Sequence, residues 1–176
     1  YLYYENNDIS DNLGMRMLDK ITSSYYMELT GGYGNLLGEE DWDLFWSGSF
    51  YRKLDLEVEA EYYLGLGYKY HYQQHSRLYS GGKLIKNFLS LNLKGINYRE
   101  KFTIYSNLNV IAAGKYRYMD QPHQNYGGWY VDAGIETRIG RDLGIFVEGF
   151  NVKESFEQES KSNSGFKMGI KIKPGN

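Results

Sequence analysis

The chain has no cysteine, two prolines and no long apolar run, and each scarcity removes a class of protein. Without cysteine there is no disulfide framework, no thiolate nucleophile and no sulfur-ligated metal. The absence also suits an oxidising cell envelope, where a stray thiol is a hazard. Proline has no backbone N–H to give to a sheet, so its scarcity fits strands whose donors are all engaged. Uninterrupted apolar stretches last only a few residues, too short for any helix to cross a bilayer. Twenty Lys and Arg against 22 Asp and Glu leave a net charge of −2. That balance supplies no cationic field for nucleic acid, and a nucleic-acid partner is excluded on this ground. The opening residues, YLYYENN, do not have the basic, apolar and small-residue order of a targeting segment.

Aromatic residues are abundant at 17 %, and 19 of them are tyrosine. Tyrosine favours strands. With 176 residues the chain is long enough for one domain or one closed barrel. Residues 54–72, LDLEVEAEYYLGLGYKYHY, alternate between an apolar face (Leu54, Leu56, Val58, Leu64, Leu66) and a charged one (Asp55, Glu57, Glu59, Glu61, Lys69). The same period of two marks eight candidate strands: 24–34, 43–51, 55–73, 83–98, 102–118, 128–139, 143–153 and 163–173. Short turns at 52–54, 99–101 and 140–142 alternate with longer polar loops such as QQHSRLYSGG and MDQPHQNYGG. Strict short–long alternation describes successive hairpins with their tight ends on one rim. The predicted fold is therefore all-β, an antiparallel up-and-down eight-stranded transmembrane barrel over residues 24–176. Residues 1–23 read as a lead-in, either irregular or a short amphipathic helix, because Leu13, Met17, Leu18 and Ile21 fall at helical spacing.

Alternation alone does not say which face is inside, because lipid-facing and soluble barrels are inverse patterns. The polar face decides in favour of lipid outside. It mixes small residues (Ser47, Ser49, Gly65, Gly67, Ser90, Gly134) with bulky ones (Phe45, Tyr63, Tyr130, Phe146, Phe150), as a confined space requires. Its charges come in both signs: Glu28, Glu57, Glu59, Glu61, Asp132, Glu136 and Glu148 against Lys94, Lys115, Arg117, Arg138, Lys167 and Lys171. Buried charges cost several kcal/mol each unless paired, so a balanced set predicts a filled, ion-paired lumen. Trp46, Tyr68, Tyr70, Tyr116, Tyr118 and Trp129 are predicted to form an aromatic girdle at the lipid interface, near the long-loop rim.

On this hairpin rhythm, polar lumen and aromatic rim, residues 24–173 resemble the small eight-stranded bacterial outer-membrane barrels of the outer membrane protein A and X type. The last strand, GFKMGIKIKPGN, partly resembles their C-terminal assembly signal through Lys167, Gly169 and Ile172. It ends on Pro174, Gly175 and Asn176, where the family carries an aromatic. The resemblance implies an outer-membrane location, a lipid bilayer as partner, no cofactor and no large aqueous pore. It also implies a non-enzymatic role in surface interaction or envelope structure through the long loops, alone or within a larger assembly.

Two other readings start from the same residues. A lipid hydrolase or acyltransferase would need a nucleophile, base and carboxylate at the loop rim, where His75, Ser76, Asp120 and His123 are the candidates. Those histidines with His71 could also supply metal ligands, but loop positions without fixed spacing carry no metal signature, and no metal site is assigned. A soluble calycin-like barrel holding a small hydrophobic ligand would have the apolar face inside.

Overall fold

The computed structural model describes residues 2–7, 10–36, 42–74, 83–99, 101–118, 121–139, 143–156 and 160–172. They form ten antiparallel strands, not eight: β1 (Leu2–Asn7), β2 (Ser10–Lys20), β3 (Tyr25–Leu36), β4 (Trp42–Leu54), β5 (Glu61–Gln74), β6 (Lys83–Tyr98), β7 (Phe102–Tyr118), β8 (Gln124–Arg138), β9 (Leu143–Ser155) and β10 (Ser160–Ile172). Each strand pairs with its neighbours in chain order, and β1 pairs with β10, from Leu2 opposite Ile170 to Asn7 opposite Gly165, to close the barrel. The up-and-down topology is the predicted one. The two extra strands come from the supposed lead-in, which supplies the seam instead of a helix. Leu13, Met15 and Met17 alternate outward there, while Arg16 turns inward and is 8 % exposed. Pairing of β2 with β1 and β3 overrides the helical spacing, since a short isolated helix gains little in comparison.

The apolar residues lie on the outside. Leu64, Leu66, Leu89, Leu91, Ile104, Val110, Ile135, Ile145, Val147 and Ile170 are all exposed, while Glu148 is 0 % exposed and Lys94 4 %. Among the described residues the buried hydrophobic cluster consists of Phe45 and Phe146 alone. Small inward residues make room for large neighbours: a Cβ at Gly65 would lie 2.5 Å from the Tyr51 ring, and one at Gly134 2.6 Å from that of Tyr105. Closure removes the free sheet edges, so the wall can meet lipid with every ladder paired.

Two local features depart from strict alternation. Residues 55–60 alternate in sequence but form a turn, with Leu56 N–H donating to Leu54 O at 3.0 Å and Val58 N–H to Leu56 O at 2.9 Å. Glu57 and Glu59 therefore sit in solvent at the rim and do not enter the lumen. In β7 a bulge sets Ala112 and Ala113 against one residue of β8, so the ladder resumes at Gly114 opposite Tyr126. Beyond it the inward positions change from odd to even. Tyr116 and Tyr118 consequently line the interior, and Lys115 and Arg117 lie on the outer face, reversing the assignment from continuous alternation.

Candidate functional site

The lumen is arranged in three levels along the axis. Nearest the short-turn rim, Tyr26 packs on Tyr51 and Tyr63, each with ring centroids 5.8 Å apart. Lys171 Nζ donates to the Glu136 carboxylate at 2.8 Å, and Lys53 pairs with Glu61. Arg138 shares this rim but is exposed.

At mid-height a continuous chain of charges crosses the barrel. Lys94 Nζ lies 2.7 Å from Glu28, whose other oxygen is 3.5 Å from Arg16 Nε. Arg16 then reaches Glu148 at 3.3 Å, and Glu148 accepts from Lys167 at 3.0 Å. Lys167 also donates to the Tyr130 hydroxyl at 2.5 Å. Beside this bar, Asn107 donates to Asp132, which is 4 % exposed, and Asn92 donates to Ser49 at 3.1 Å. The bar joins β6, β3, β2, β9 and β10, from opposite sides of the wall. Its charges are individually unaffordable in a confined space, and the alternation of sign is what makes them tolerable.

A cavity of ≈ 1040 Å³, lined at its inner end by Arg16, Glu28, Lys167 and Tyr51, reaches the long-loop rim at Gln121 and Lys161. Its wall carries a second set of pairs. His71 Nε2 bonds to Asp43, itself 2 % exposed, and Lys86 donates to both Glu154 oxygens at 2.9 Å. Tyr126 and Phe156 stack in one corner with centroids 5.5 Å apart, and Tyr116 meets Phe156 edge-on at 4.8 Å.

Of the predicted lumen charges, Glu28, Glu61, Lys94, Asp132, Glu136, Glu148, Lys167 and Lys171 lie inside, and Glu57, Glu59, Lys115, Arg117 and Arg138 do not. On the outer face, Trp46 is flanked by Tyr68 and Tyr70 at 5.3 and 6.2 Å, and Trp129 is 36 % exposed. His123 is exposed, whereas His75, Ser76 and Asp120 lie outside the described residues. Among the described residues no group of three or more metal-ligating side chains is assembled. Sequence reasoning missed Arg16, Asp43, Lys86 and Glu154. Asp43 and His71 do share the inward face of adjacent strands, which their register would have revealed.

No protein-family model matches the sequence, and neither does any curated protein. Among solved structures, the NanC porin aligns over 99 % of this chain and 100 % of its own, with a TM-score of 0.50 and 9 % identity. An outer membrane protein of Vibrio cholerae, OmpT, covers 95 % of this chain and 56 % of its own at 8 % identity, with a TM-score of 0.40. The fold is that of the outer-membrane porin barrels. An even-stranded closed barrel with an apolar outer belt and a polar interior is the architecture that spans an outer membrane, so the exposed leucines, isoleucines and valines meet lipid. In this barrel the strands from β5 to β8 are 14 to 17 residues long. About ten suffice to cross the apolar band, so the long-loop ends of these strands carry the vestibule above it.

Proposed function

We propose that the protein is a non-enzymatic barrel of the bacterial outer membrane whose lumen is closed at mid-height, with the vestibule and long loops as its working surface toward the exterior. NanC is described as a porin, and the direct analogy would be a diffusion pore. The observation that argues for a closed lumen here is the bar Lys94–Glu28–Arg16–Glu148–Lys167, which is anchored on opposite walls and includes a carboxylate with 0 % exposure. In outer-membrane barrels the short turns face the periplasm and the longer loops face outward. That orientation turns the ≈ 1040 Å³ vestibule, with its amides, aromatic rings and paired charges, toward the medium. Surface interaction through this rim is the role that such a shape serves.

Planar-bilayer recording tests the reading. The refolded wild-type protein is expected to insert without steady ohmic current. The double variant Arg16→Ala/Glu148→Ala removes one charge of each sign from the centre of the bar and leaves Lys94 with Glu28 and Lys167 with Tyr130. It is expected to conduct. Steady wild-type current in potassium chloride would make the protein a diffusion pore and overturn the proposal.

A further inference from the structure

The bulge in β7 does more than reorient two tyrosines: it places cations on the outside of the barrel beside the aromatic girdle. Following the hydrogen-bonded register around the wall, Trp46 lies opposite Tyr70, Tyr70 opposite Asn87, and Asn87 opposite Lys115. The next row toward the long-loop rim runs Leu44, Tyr72, Ile85, Arg117. Lys83 follows on the same face of β6, two residues beyond Ile85. On β9, Lys153 stands opposite Trp129. Without the extra residue, alternation would carry Lys115 and Arg117 into the lumen and Tyr116 and Tyr118 toward lipid.

This outward cluster is built differently from the charges inside. Every lumen cation in the central bar has a carboxylate within reach, but Lys83, Lys115 and Arg117 have none among the described residues. The outer positions nearby on β5 to β9 are Tyr70, Tyr72, Gln74, Asn87, Asn125, Asn151 and Ser155, with no Asp or Glu. Arg117 Nε is shielded from solvent and has no hydrogen-bond partner among the described residues. An enclosed guanidinium N–H is costly to leave unpaired. Guanidinium is also the side chain best shaped to grip phosphate through two parallel hydrogen bonds.

We propose that Lys115 and Arg117, with Lys83 alongside, hold a phosphate-bearing anionic lipid headgroup of the leaflet on the long-loop side. The apolar wall below, Leu89 and Leu91 on β6, would take the acyl chains. A lipid fits this position better than a free anion because the cations stand directly above lipid-facing side chains, on the outer wall and not in the vestibule.

The experiment uses the whole barrel refolded in zwitterionic phosphocholine micelles and titrated with a short-chain phosphatidic acid, with retention followed by native mass spectrometry. Each basic side chain near an anionic surface strengthens attraction about fivefold, so Lys115→Gln/Arg117→Gln is expected to weaken retention about twenty-five-fold. The matched variant Lys20→Gln/Lys101→Gln changes the same net charge at the short-turn rim and is expected to retain lipid as wild type does. Inorganic phosphate should not compete. Equal loss in both double variants would reduce the effect to bulk charge and overturn the proposal, as would full competition by inorganic phosphate or no retention by the wild-type protein. Should the double variant fail to fold, Lys115→Gln and Arg117→Lys singly decide the matter, each expected to lose several-fold retention. Wild-type retention in both would overturn the site.

Discussion

Replacing Glu148 by lysine is expected to stop the barrel from forming. The Glu148 carboxylate is 0 % exposed and is the shared partner of Arg16 and Lys167, at 3.3 and 3.0 Å. Removing one partner of a buried pair costs about 3–5 kcal/mol, because the remaining charge keeps its desolvation penalty and loses its compensation. Here Lys167 would lose its carboxylate and Arg16 would keep only Glu28, at 3.5 Å, while lysine would add a third cation beside them. Glu148→Gln, which keeps the shape, is expected to fold with a stability loss within that range. Glu59→Lys makes the same change of charge in the turn before β5. There the side chain is 86 % exposed and only 3.8 Å from Arg99, itself half exposed, so almost no effect is expected. Heat-modifiable gel mobility after refolding in micelles, followed by urea unfolding of the variants that fold, separates the three. Equal tolerance of lysine at 148 and 59 would mean that the lumen does not depend on charge balance.

The contrast between those two glutamates also locates what the sequence could and could not reveal. Both lie on the charged face of an alternating run. Only Glu148 is on a strand, because Asp55 to Ala60 alternates by composition while its backbone turns through local hydrogen bonds at Leu56 and Val58. Hydrophobic periodicity reports which residues could share a face, not whether the chain is extended there. The bulge shows the same limit at a finer scale. Ala112 and Ala113 have side chains too small to mark a face, so the change from odd to even inward positions leaves no trace in hydropathy, and Lys115 through Tyr118 are misassigned in one block.

At the N-terminus two periodicities overlap. Leu13, Met15 and Met17 alternate, whereas Leu13, Met17, Leu18 and Ile21 suit a helix, and only the pairing of β2 with β1 and β3 decides between them. Arg16 was lost with that segment, and with it the central link of the bar. The remaining inward charges were legible because a polar lumen imposes a balance of sign that an open surface does not. Their partners were not, since Lys94 with Glu28 and Lys86 with Glu154 meet across the barrel, at separations that closure alone determines.

Gly128→Val is the second substitution expected to have a large effect, and it acts on the wall instead of its contents. Gly128 has φ of 151° and lies opposite Ile111, the last regular residue before the bulge. It also faces Glu154 of β9 across the other ladder. A Cβ there would lie 2.0 Å from the Lys153 carbonyl oxygen, a backbone atom that cannot swing away. To admit a side chain, β8 must change its φ and separate from β9, breaking ladder bonds at the level where Trp129 meets Lys153. A strained φ and a lost ladder bond together should cost about 3 kcal/mol or more. Gly149→Ala is the matched control, since a Cβ at Gly149 meets nothing within 4 Å and the position is already extended strand. Urea midpoints in micelles should therefore fall sharply for Gly128→Val and hold for Gly149→Ala. Because Glu154 lies opposite Gly128 and holds Lys86 at 2.9 Å, the strained variant should also loosen the vestibule wall. Proteolysis at the long-loop rim would then accelerate in Gly128→Val, while the short-turn rim keeps wild-type resistance. A variant as stable as wild type would mean that β8 and β9 are not held together at this point, and that the bulge opposite is not braced by the glycine.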